Sequence, residues 1–165
     1  MTGKKLLLLR VLVCVLAVLT SIAPVYSQEV VMSEYMNASG PDIEWTELIT
    51  VQDNLNMVGW IVHDNNGSQT ARQGGVRFKD VPLWRNVRAG TIIVIWHRVM
   101  GNPRGTDDDP SDGFLELNLT NTAYFELVKF VEAINNEMNI AESGDFIQVL
   151  RADSSHVHGL GHFSS

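Results

Sequence analysis

From residue 28 onward the chain runs as short apolar segments rich in β-branched and aromatic residues, broken by Gly, Asn, Asp and Pro. That texture predicts an all-β domain. Candidate strands fall at residues 29–36, 43–51, 59–64, 76–79, 91–98, 113–119, 145–151 and 156–159. Short strands in this number and spacing point to a β-sandwich. The run from Thr91 to Trp96 is apolar after its first residue instead of alternating, so it is expected to be covered on both faces, as a central strand. Residues 37–42 and 64–68 read as turns, the second carrying Asn66-Gly67, a pair suited to positive φ. One stretch breaks the pattern. Residues 122–138 carry apolar side chains at 124, 127, 128, 131 and 134, with Glu126, Lys129 and Glu132 between them, which predicts one short helical insertion. Trp45, Trp60 and Trp96 sit in β-patterned runs and are expected in the core; Trp84, after Pro82 in a loop-like stretch, is expected to be more exposed.

The N-terminus has a different character. Lys4, Lys5 and Arg10 lead into an uncharged apolar run over residues 11–23, followed by Pro24-Val25-Tyr26-Ser27. This is the build of a signal peptide, with small or modest side chains at the third and first positions before a cut. Residues 1–27 are therefore read as the signal peptide and residues 28–165 as one secreted domain, beginning at Gln28. A retained anchor fits less well, because Arg10 interrupts the apolar stretch and the remainder is shorter than the ~20 residues of a spanning helix. No membrane span is expected after cleavage. The single cysteine, Cys14, lies inside the leader, so the secreted domain is expected to rely on its packed core without disulfides or thiol chemistry.

Charge narrows the range of partners. The leader holds three basic residues and no acid, so nine Lys and Arg remain against nineteen Asp and Glu, a net charge of −10. The basic residues are scattered between Arg72 and Arg151 among twice as many acids. Counterion release at a phosphate backbone needs them clustered, so nucleic acid is excluded as a partner. An extracellular protein or polysaccharide is expected instead.

Three constellations hold candidate chemistry. Asp107, Asp108, Asp109 and Asp112 precede Gly113; acids beside Pro, Ser and Gly are ordinary turn residues, while the same hard oxygens could wrap calcium, although without the EF-hand spacing. His156, His158 and His162 read either as structural or exposed imidazoles, or as zinc ligands if an extended strand puts the first two on one face. Glu34 shares strand parity with Val30, Met32 and Met36, and Glu47 with Ile43, Trp45 and Ile49. Paired through the turn at 37–42, the two glutamates would come out nearly opposite one another on apolar faces. They would then need a counter-charge such as Arg98, a cation or a raised pKa, or a β-bulge that turns one of them to water. A paired-carboxylate glycosidase site is the enzymatic version of this arrangement. No cofactor other than these metals is suggested, and no phosphate-binding Gly loop or nucleophile elbow is present. The sequons at Asn37, Asn66 and Asn118 would matter only in a eukaryotic secretory pathway.

Four stretches in order resemble the lamin tail domain of secreted bacterial proteins. They are Val31-Met32-Ser33-Glu34-Tyr35 with Gly40-Pro41-Asp42-Ile43-Glu44-Trp45, then Asp53 through Asn65 around Gly59-Trp60, then Arg88-Ala89-Gly90 leading into the apolar strand, and finally Ser143-Gly144-Asp145-Phe146. The resemblance covers most of residues 28–162. It implies an immunoglobulin-like sandwich and, in bacterial members, an extracellular module often attached to larger surface proteins or hydrolases, with no shared catalytic residues. The chain departs from a compact member around residues 106–112 and 122–138, and a third reading makes it the N-terminal part of a larger cell-surface protein. The function expected is that of a secreted, non-catalytic binding or structural module. The alternative is a small secreted metal-dependent hydrolase, or an accessory domain of one, using His156, His158 and a carboxylate.

Overall fold

The computed structural model describes residues 28–37, 43–65, 71–97, 106–130 and 138–163. The expected signal peptide, most of both turns and Arg98 lie outside them. Ten strands form: β1 (Val30–Met36), β2 (Trp45–Thr50), β3 (Ile61–Asn65), β4 (Arg72–Phe78), β5 (Ile92–Trp96), β6 (Thr106–Asp107), β7 (Phe114–Asn118), β8 (Phe125–Lys129), β9 (Gly144–Leu150) and β10 (His156–Phe163), with one short helix, α1 (Pro82–Arg85), between β4 and β5. They make two five-stranded sheets, in the orders β1-β2-β5-β7-β6 and β10-β9-β3-β4-β8. The protein is an all-β sandwich.

Alternation builds the core. Leu48, Ile93, Ile95, Leu115 and Leu117 of the first sheet join one buried cluster with Val62, Val76, Phe78, Ile147 and Val149 of the second. β5 is the middle strand of its sheet, antiparallel to β2 and parallel to β7. Its Ile93 and Ile95 face the core, while Val94 and Trp96 are nearly covered on the other side, which accounts for the unbroken apolar run.

Two expectations about local structure are corrected. Residues 125–129 of the expected helix are strand β8, antiparallel to β4 from Phe78↔Phe125 to Gly74↔Lys129. Pairing with the otherwise open β4 satisfies the backbone of this Phe- and Val-containing segment and seats Phe125 in the core, and those gains override the helical stripe. The rest of the expected helix, 131–137, lies outside the described residues. The helix that does form is α1, with Pro82 in its first turn, where a proline lacking N–H is favoured. It swings Trp84 inward to full burial, its ring 4.6 Å from Phe78 and 5.6 Å from Phe125, so Trp84 is a core residue rather than an exposed one. Its indole N–H donates to the Tyr124 carbonyl at 3.1 Å.

Among the other tryptophans, Trp60 is in the core cluster. Trp45 and Trp96 are paired across β2 and β5 on the outer face of the first sheet, ring centroids 6.5 Å apart. Trp96 is buried there and Trp45 half-buried, because Thr46, Leu48 and Thr50 take the inward positions of β2.

Candidate functional site

Two β-bulges decide where the singled-out glutamates and histidines point. In β1 the register shifts between Met32 and Glu34. Val30 and Met32 therefore face the core, and past the bulge Glu34 turns outward and is exposed. Glu34 is directly opposite Glu47, as the strand pairing suggested, but both lie on the outer face of the sheet, with the Ser33 hydroxyl donating to Glu47 Oε1 at 2.6 Å. In β10 the register shifts between His156 and His158, which stand opposite Leu150 and Val149 respectively. Neighbouring positions on β9 point to opposite faces, so His156 and His158 do not share one. The bulge removes the co-facial pair on which the zinc reading rested.

The two bulged strands meet where the sheets close on each other. His158 Nδ1 accepts the Met32 backbone N–H at 3.1 Å, and His162 Nδ1 lies 2.7 Å from the Tyr35 hydroxyl. Burial holds the His158 imidazole below its ordinary range, as an accepting Nδ1 requires.

At one end of the sandwich lies a polar cluster that the strand pattern did not single out. Glu44, Asp64 and Asp145 are all buried. They take the backbone N–H groups of three consecutive residues: Asn139 donates to Asp64 Oδ2 at 2.8 Å, Ile140 to Glu44 Oε2 at 3.3 Å, and Ala141 to Asp145 Oδ2 at 2.9 Å. The three acids thus strap an irregular segment over the core. Burial pushes the Asp64 carboxyl up to about 8, with Asp145 adding to the rise, and raises Asp145 as well. Among the described residues, Asp64 Oδ1 finds no hydrogen-bond partner. A hint lay in the sequence: Asp64 and Asp145 share the parity of core residues Val62 and Ile147.

The acidic loop leads from β6 to β7. Asp107, Asp109 and Asp112 each accept the backbone N–H two residues on, from Asp109, Ser111 and Phe114, at 3.2, 2.9 and 2.9 Å. Asp108 accepts the Tyr124 hydroxyl. The Arg88 guanidinium donates to the carbonyls of Pro110 and Ser111 at 2.9 and 3.0 Å and ties the loop to the segment before β5. Among the described residues, no three His, Cys, Asp or Glu side chains gather as a metal-holding group.

Between this loop and α1 opens a cleft of about 610 Å³. Val81, Leu83, Val87 and Leu115 supply apolar lining, and Arg88, Asp108 and Tyr124 supply polar groups. Apolar walls with a few placed polar groups are the usual make-up of a ligand site. Sequence reasoning missed the cleft, since its walls come from segments far apart in the chain that only the fold brings together.

No family model matches the chain, and no curated protein does either.

Proposed function

We propose that the chain is a secreted, non-catalytic binding module of the lamin tail type, with an immunoglobulin-like sandwich, that takes an extracellular protein or polysaccharide in the cleft between α1 and the acidic loop. The observation that carries this reading is the cleft itself. Its walls are held from both sides, by the Trp84 bond to Tyr124 and by the Arg88 bonds to the loop, so the surface is formed before a ligand arrives. The other candidate groups are engaged structurally: the buried acids hold backbone amides, His158 accepts one, and three of the loop aspartates close turns. The four stretches that resemble the lamin tail domain support the family assignment.

Titration of the secreted protein against soluble polysaccharides and extracellular peptides tests the proposal. Saturable binding is expected, weakened at least tenfold by Leu83→Glu or Arg88→Ala in protein that remains folded. Binding unaffected by both substitutions would overturn the cleft assignment. Zinc-dependent hydrolysis of any member of the panel, lost in His158→Ala, would replace the module reading with the hydrolase.

A further inference from the structure

We infer that Gln28 is a modification site, closing to an N-terminal pyroglutamate that seals the end of strand β1. The inference rests on the secretion reading, which makes Gln28 the first residue of the exported chain.

The structure leaves this residue able to react. Gln28 is exposed and lies outside β1, which begins at Val30. Among the described residues its carboxamide and backbone have no hydrogen-bond partner. The next residue is fixed. The Glu29 carbonyl accepts the Val51 N–H at 2.9 Å, and its carboxylate pairs with the Arg151 guanidinium at 2.6 Å. These anchors begin at residue 29, and only the torsions of Gln28 need to turn for its α-nitrogen to reach its own side chain.

The ring closure balances without any co-reactant. The neutral α-amine, whose ordinary pKa near 8 leaves a useful fraction unprotonated at neutral pH, attacks the side-chain carboxamide carbon Cδ. A bond forms from the α-nitrogen to Cδ, the bond from Cδ to Nε2 breaks, and Nε2 departs as ammonia with a proton from the amine. The product is an uncharged five-membered lactam. It faces a recess of about 710 Å³ lined by Glu29, Arg151, Asp153, Ser155, His156 and Val157.

The lactam has a structural use here. Two removals from a free terminus would take away Glu29, the partner of Arg151, and expose the end of β1 at Val30, which is fully buried in the core. β1 is an edge strand that meets β10 at the seam between the sheets, so trimming would begin where the sandwich closes. Without an α-amine an aminopeptidase has no group to engage.

Mass spectrometry of the exported protein, with aminopeptidase digestion, tests the inference. The expected N-terminal peptide begins at residue 28, is lighter by one ammonia than its sequence, and resists both Edman degradation and the aminopeptidase. Gln28→Ala should melt at the same temperature yet give a readable terminus that is trimmed. A chain that begins with an open Gln28 overturns the inference and leaves the secretion reading standing. A chain that keeps Met1, or begins elsewhere, overturns the inference together with cleavage after Ser27.

Discussion

The carboxyl group of Asp64 is fully buried, and burial raises it from 3.8 to about 8, so near neutral pH the folded protein holds a proton there that the unfolded chain has released. Unfolding between pH 3.8 and about 8 frees that proton, and stability contributed by Asp64 falls as pH rises through this window. His63 and His97 act in the opposite sense. Burial lowers them from 6.5 to about 4 and about 3, so unfolding below pH 6.5 takes up protons, and stability rises with pH until the unfolded imidazoles are neutral. The two histidines offset the acids up to pH 6.5; above it Asp64 acts without them. Denaturant titrations should therefore show stability declining from pH 6.5 to 8, by roughly 2 kcal/mol at about 1.4 kcal/mol per proton per pH unit. Asp64→Asn, uncharged and still able to accept the Asn139 N–H, should flatten that decline; an unchanged slope in the variant would assign it to another group. Gly75 is a second single-residue constraint. A Cβ there would sit 2.5 Å from the Val62 carbonyl oxygen and 2.7 Å from His63 Cβ, atoms of the neighbouring strand that cannot swing aside. Gly75→Ala should cost about 1–3 kcal/mol, the usual range for overpacking, measured as a lower denaturant midpoint.

At the scale of elements, the β1–β10 seam depends on two irregularities that face each other. Each strand carries one extra residue, and each bulge rotates the residues after it, so that Tyr35 meets His162 and His158 meets the Met32 amide. His158→Ala should leave the Met32 N–H without its acceptor and speed its hydrogen exchange well above that of β2 and β5 amides. If the Met32 amide exchanged no faster, the contact would not be holding the seam. α1 gives a second contrast. Trp84→Ala should lower stability by about 3–5 kcal/mol, as for a large buried aromatic, and Trp45→Ala, on a half-buried outer position, by distinctly less. These elements also mark how far the sequence could be read. The alternation of apolar residues located eight strands, and the unbroken run before His97 identified the central one, because burial on both faces leaves a direct trace in composition. At Glu34 the structure contains the β-bulge that the sequence offered as the way to turn a glutamate to water, whereas parity failed at His156, since a bulge flips every later side chain and nothing in His156-Val157-His158 announces it. β8 was hidden by a helical stripe, because its partner β4 is distant in sequence. Trp84 was hidden by its proline, which reads as a loop until the helical turn it starts is seen to plug the core. The three-acid strap was missed for a related reason: its ligands are backbone amides, which carry no sequence signature.

Across the whole molecule, charge is divided between the sheets. The strands of the first sheet hold Glu34, Glu47, Asp107 and Glu116 with no Lys or Arg, while those of the second set Arg72, Arg77 and Lys129 beside Asp64, Glu126 and Asp145. The acidic loop adds Asp108, Asp109 and Asp112 beside the first sheet, so that side of the sandwich gathers negative charge that dissolved cations will screen. A dedicated calcium site would look different from screening. It would stabilise the fold by RT ln(1 + [L]/Kd), about 2.7 kcal/mol at a hundredfold excess over Kd, and magnesium, smaller and slow to shed water, would not substitute at equal concentration. In this loop three of the four carboxylates already close turns on backbone N–H groups and the fourth holds the Tyr124 hydroxyl, so a cation would compete with the bonds that shape the loop. The melting temperature is accordingly expected to rise by the same amount in calcium, magnesium and sodium chloride at matched ionic strength. A rise specific to calcium, lost in Asp109→Asn, would instead make the loop a calcium site and place a bound ion on the rim of the cleft, where Asp108 and Tyr124 meet.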